Sequence, residues 1–291
     1  MIFFAPPVVA AGVPSVPTPA PRPTSTAPIS ERSMLDTQLD ALSAQALKTT
    51  GGTLGVVILD LGSGVRVERN AQMAFPLADL QRLPLAVLTY AAIDSGKVDP
   101  NRAGEMRDLV ARMLGVNDAA AANTLYADLG GADALNALLH AIGIDGVVYR
   151  TDEAGLEAQA TAGRTFAKGG DNAGSPDAIA LMLTGLAKGE LLSAPSRTAL
   201  LDALAAESDS AGRLRGGLPA NARFEHEAGT SQTFDGVVDG VSDAGIAHIN
   251  GRSVILVAML RGARGTSAER DALLVSVARI ANDATRLFPL R

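Results

Sequence analysis

Strand signals cluster at the two ends of this chain and leave a long helical stretch between them, which constrains the fold more than any other feature. From Ser30 to Lys48 apolar residues recur at helical spacing (Met34, Leu35, Leu39, Leu42, Ala46, Leu47), with Ser30 as N-cap and Gly51-Gly52 beyond the end. Residues 53–60 and 65–70 are rich in branched side chains and are joined by Leu61-Gly62-Ser63-Gly64, which predicts a β-hairpin. An Ala- and Leu-rich helical stretch then covers roughly residues 77–215, broken at Gly115-Val116-Asn117-Asp118, at Gly130-Gly131 and through 162–175. Strand signals return at 223–231, 239–249 and 253–262, and a closing helix is expected from about 268 to 287. This order predicts an α+β fold of α/β/α layering, with a five-stranded antiparallel sheet flanked by terminal helices and an inserted all-helical domain. The expected divisions are a tail at 1–29, a sheet domain from 30–75 and 216–291, and the helical insertion at 76–215. A ligand cleft belongs at the junction of the two. No internal repeat is present.

Composition narrows the function classes. The 291 residues suffice for a substantial core, and 47% hydrophobic with 19% charged residues describes an ordinary globular chain. A net charge of −6 argues against nucleic acid or an anionic membrane surface, both of which need a concentrated basic face. Zero cysteines exclude disulfides and thiol chemistry. Three histidines (His140, His226, His248) without ligand spacing predict no metal site, and no organic cofactor is expected. The first eleven residues are apolar but carry no basic leader, and they are too short and proline-interrupted for a membrane-spanning helix. They read as a signal remnant or a tail, and residues 12–29 as a Pro-, Ser- and Thr-rich tether.

Chemistry is concentrated in the stretch Phe75-Pro76-Leu77-Ala78-Asp79-Leu80-Gln81-Arg82-Leu83-Pro84-Leu85. Further segments carry a related pattern: Asn117-Asp118-Ala119 followed by Ala122-Asn123-Thr124-Leu125, then Asp152-Glu153-Ala154-Gly155-Leu156-Glu157. Gly189-Glu190-Leu191-Leu192, Leu218-Pro219, Glu227-Ala228-Gly229-Thr230 and Val241-Ser242-Asp243-Ala244-Gly245-Ile246 continue it. Together these resemble the class A β-lactamases and related serine hydrolases over nearly everything after residue 30. The resemblance implies the fold deduced above and an exported protein, periplasmic or secreted. It also implies a nucleophile segment of the form Ser-x-x-Lys at the head of a buried helix.

Position by position, the resemblance implies that this chemistry is missing. Asp79 stands at the acylated serine and Arg82 at the lysine that helps deprotonate it. An aspartate has no hydroxyl to activate, and an arginine stays protonated at physiological pH. Asn117 replaces a proton-relaying serine, Ala119 replaces an amide-binding asparagine, and Glu227 replaces a lysine that attracts the substrate carboxylate. Asp118, Gly229 and Thr230 are kept. Glu153 falls at the base that activates the hydrolytic water, although Glu157 replaces its asparagine partner. The ionised groups Asp79, Arg82, Glu153 and Glu227 sum to −2, against +1 implied for the family. At about 4 Å and an effective dielectric near 20, two unit charges interact by ~4 kcal/mol. Such a field repels an anionic β-lactam and should raise the pKa of a crowded carboxylate.

Each of these residues has a structural reading beside the functional one. Asp79 can act as a helix N-cap worth ~1 kcal/mol, pairing with Arg82 at i+3, or it can be a carboxylate nucleophile. Pro84 suggests a reshaped first turn. Glu153 can pair with Arg82 or act as a general base, and Glu227 can bridge the cleft or recognise a cation. The principal expectation is a protein of this fold without serine acyl transfer, most simply a monomer. It would bind a cationic or neutral small molecule or peptide through Asp79, Arg82, Asn117, Glu153, Glu227, Gly229 and Thr230. Two alternatives stay open: a hydrolase using Asp79 and Glu153 as a carboxylate pair, and weak residual β-lactam hydrolysis.

Overall fold

The computed structural model describes residues 30–206 and 212–288. The apolar leader and the tether read at 1–29 lie outside the described residues. Helix α1 (Glu31–Thr50) starts where Ser30 Oγ accepts the Ser33 N–H and stops at Gly51, whose φ of +70° suits glycine. The hairpin follows as β1 (Thr53–Asp60) and β2 (Arg66–Arg69), and then come β3 (Phe75–Pro76) and a 3-10 turn over Ala78–Gln81. Helices α2 (Arg82–Asp94), α3 (Pro100–Gly115), α4 (Ala119–Asp128) and α5 (Gly131–Ala141) lead to β4 (Val147–Val148) and α6 (Glu153–Thr161). After β5 (Ala173–Gly174) come α7 (Pro176–Lys188) and α8 (Ala194–Ala205). The chain closes with β6 (Arg223–Thr230), β7 (Thr233–Phe234), β8 (Val237–Ile249), β9 (Arg252–Ala263) and α9 (Ser267–Leu287).

The five expected strands form one antiparallel sheet in the order β2-β1-β9-β8-β6, with the two-residue β7 added on β8 as a sixth. Alternation along the strands divides the apolar side chains between two cores. Val56, Ile58, Leu256 and Leu260 face α1 and α9 and pack with Leu35, Leu39, Leu273 and Val277. Val57, Ile255, Val257 and Met259 face the other way, toward α7 and the helices of the middle region. A second sheet, in the order β3-β5-β4, was not legible in the sequence because strands of two residues show no alternation.

One local expectation is corrected. Asp79 does not cap an α-helix: it lies inside the 3-10 turn, and the N-cap position of α2 is Gln81. Pro84 is the third residue of α2 and has no N–H to offer the carbonyls of the 3-10 turn that runs directly into the helix, in keeping with a reshaped first turn.

Edge strand β6 lies against the 3-10 turn, and Gly229 makes that approach possible. A Cβ there would stand 2.7 Å from Asp79 N and 2.8 Å from Leu77 O and Leu80 N, so any larger residue pushes strand and turn apart.

Candidate functional site

The turn, the start of α6, the loop before β5 and the end of β6 enclose a cleft of about 340 Å³. Arg82 sits behind its floor, almost wholly buried. Its Nε and Nη2 meet Glu153 Oε1 and Oε2 at 2.7 and 3.0 Å, a bidentate pair, and Nη2 lies 3.1 Å from Asp79 Oδ1. Burial alone would lower the Arg82 pKa. The Glu153 hydrogen bond and the charges of Asp79, Glu153 and Glu227 outweigh burial and hold the guanidinium above its ordinary value. Glu153 is fixed in turn by Asn123, whose Oδ1 accepts from Glu153 N at 2.9 Å, and by the Asp152 N-cap on Gly155 N.

Asp79, Arg82, Glu153, Gly229 and Thr230 therefore converge, and Glu227 is buried on β6 close enough to act on Arg82. Asn117 does not join them. It is exposed at φ +58° ahead of α4, whose cap is Asp118, and it is not among the cleft-lining residues. Ala119, Glu157 and Thr230 do line the cleft. None of the three histidines does.

Four charged or hydroxyl-bearing wall residues were not legible as site residues in the sequence. Asp171 and Asp239 add two carboxyls to the wall, and Ser231 and Arg164 also line it. Asp171 is pushed up to about 6, chiefly by burial. Its hydrogen bonds from Ser231, Ala78 and Asn172 oppose that rise, and Asp239 adds to it. Burial raises Asp239 as well. Among the described residues, the wall carries five carboxyl groups (Asp79, Glu153, Glu157, Asp171, Asp239) against one lining cation, Arg164. At the rim Arg213 grips the end of the sheet, donating to Gly229 O and Ser242 O at 3.1 Å each and to Thr230 Oγ1. No local motif announces these residues, because their partners lie tens of positions away. Among the described residues, no group of three or more His, Cys, Asp or Glu side chains is arranged to hold a metal ion.

Comparison with known proteins agrees with this architecture. The model of the β-lactamase enzyme family matches residues 34–107 and 99–285. The chain belongs to that family. It is 29% identical over 256 residues to the carbapenem-hydrolyzing β-lactamase KPC of Klebsiella oxytoca, covering 79% of this chain and 83% of that one. It is 28% identical over 285 residues to β-lactamase AST-1 of Nocardia asteroides, covering 90% and 88%. Among solved structures, a β-lactamase from Chitinophaga pinensis superposes with a TM-score of 0.76 at 24% identity, covering 86% of this chain and 99% of the other. An ancestral class A β-lactamase gives 0.73 at 28%, again covering 86% and 99%. The fold is that of the class A enzymes.

Proposed function

We propose that this family member does not carry out serine acyl transfer at position 79 and instead binds a small cationic or neutral ligand in an acidic cleft. The observation that carries this reading is the Arg82 clamp. A guanidinium cannot act as a neutral base, and here it is already committed to both Asp79 and Glu153. The same clamp weighs against a hydrolase using those two carboxylates, since each is held as the partner of a fixed cation and not left ready to attack or accept a proton. Five carboxyls on the wall disfavour the carboxylate of a β-lactam and favour an ammonium, a guanidinium or an uncharged polar group. Export and a monomeric state belong to the same proposal, the first on family grounds.

The test combines nitrocefin turnover with intact mass after exposure to a fluorescent penicillin. Neither hydrolysis nor an adduct is expected. Asp79→Ser alone should stay inactive, because Arg82 remains charged and bound to Glu153. A stable penicillin adduct that disappears in Asp79→Ala, or measurable hydrolysis by Asp79→Ser, overturns the reading.

A further inference from the structure

The cleft wall holds two hydroxyl side chains, Thr230 and Ser231. Thr230 Oγ1 accepts from Arg213. Ser231 Oγ donates to Asp171 Oδ2 at 2.7 Å. A hydroxyl and a carboxyl at that distance have the geometry required of a nucleophile and its general base.

The mounting of the pair is rigid. Ser231 N donates to Gly240 O at 2.9 Å, which keeps residue 231 in register with β8 beyond the end of β6. Asp171 is 6% exposed, its Oδ1 lies 3.4 Å from Ala78 N, and its backbone carbonyl accepts from Arg150 Nη1. The next residue, Asn172, is fully buried. Its Oδ1 accepts from Arg150 N at 2.7 Å and from Thr151 N at 3.2 Å, and its Nδ2 donates to Thr151 O at 2.9 Å. Strand pairing also supplies a donor. Ser231 is hydrogen-bonded to Gly240, so in an antiparallel ladder the N–H of Thr230 turns away from β8, off the free edge of β6. That edge faces the turn bearing Asp79.

We propose that Ser231 is an acyl-accepting nucleophile and Asp171 its general base, acting on small esters whose acyl group is neutral or cationic. As Ser231 Oγ bonds to the carbonyl carbon, its proton passes to Asp171 Oδ2 and the carbonyl π pair moves onto oxygen. Collapse breaks the ester C–O bond, and the departing alkoxide takes the proton from Asp171. The products are acyl-Ser231, a free alcohol and an ionised Asp171. Burial supports this role, because a carboxyl raised to about 6 is a stronger base than a free aspartate and is still mostly ionised at pH 7. The inference takes only the charge of the acyl group from the acidic-cleft reading. Its nucleophile is independent of Asp79.

Incubation of the full chain with p-nitrophenyl acetate and, separately, with a fluorophosphonate, followed by intact mass and peptide mapping, tests it. One adduct is expected, on Ser231, and it is lost in Ser231→Ala. Asp171→Asn should fold with an unchanged circular dichroism spectrum and label about tenfold more slowly or worse. The wild-type rate should rise with pH through about 6, because the base must be ionised. The charged groups around Asp171 are Asp239 on β8, Arg150 after β4, and Asp79 and Arg164 across the cleft. Asp239→Asn should therefore move the midpoint of that rise without moving the label. No adduct, an adduct elsewhere, or wild-type labelling by Asp171→Asn overturns the proposal and leaves the pair as a tie between β6 and the loop before β5. Penicillin labelling of Asp79 is a separate result that strikes only the binding reading.

Discussion

At the scale of single residues, Arg82 and Asp171 dominate the electrostatics. The Arg82 and Glu153 side chains are 5% and 13% exposed, so removing the cation leaves a carboxylate with little water to solvate it. Arg82→Met is expected to cost about 3 kcal/mol in urea unfolding, and adding Glu153→Gln should recover most of that loss. Losses that simply add in the double variant contradict a coupled pair. Asp171 has the opposite sign. Its folded pKa of about 6 exceeds the 3.8 of a free aspartate, so the native state binds its proton more tightly than the unfolded chain. Stability from this group is fully present below about pH 4 and falls as pH rises to about 6. Asp171→Asn should remove that decline, gaining about 2 kcal/mol over wild type at pH 7 relative to pH 4. A constant difference between the two proteins across that range would contradict the raised pKa. This expectation also protects the labelling experiment, because slow acylation of Asp171→Asn then has no origin in unfolding.

At the scale of elements, the sequence located most of the framework and little of the site's fine geometry. Ser30 caps α1 as its type and position led one to expect, and the breaks at Gly115–Asp118 and Gly130-Gly131 separate α3, α4 and α5. The convergence of Asp79, Arg82 and Glu153 was also legible, through family resemblance and i,i+3 spacing. The Ser231–Asp171 pair was not, because sixty positions separate its members and only the sheet edge and the loop before β5 bring them together. Asn172 is the hub of that loop, donating to Thr151 O and to Gln81 Oε1 while accepting from two backbone amides. Asn172→Ala strands several buried polar groups and is expected to cost about 3 kcal/mol. Hydrogen exchange should quicken first across residues 150–172. Uniform loss of protection throughout the chain would show that the loop is not held by this side chain.

On the scale of the whole molecule, the sheet is shared by two cores, and the cleft sits at its β6 edge. Leu256 lies at the middle of β9, fully buried against the terminal-helix core. Leu256→Ala should lower stability by about 2–5 kcal/mol, far more than substitution of the exposed Asn117. Unfolding midpoints that barely differ between the two would mean that the terminal helices contribute little to the packing of the sheet. Because α1 and α9 cover one face and the middle helices the other, α1 and α9 brace the sheet from the side away from the site. Substitutions in that core should therefore alter stability more than they alter cleft geometry.

The Arg82 clamp has a consequence for exchange. Removing Asp79 or Glu153 leaves the guanidinium one carboxylate partner, whereas removing Arg82 leaves both acids without their shared cation. The arginine is therefore the member least replaceable by itself, and a neutral side chain at 82 calls for a matching change at Glu153.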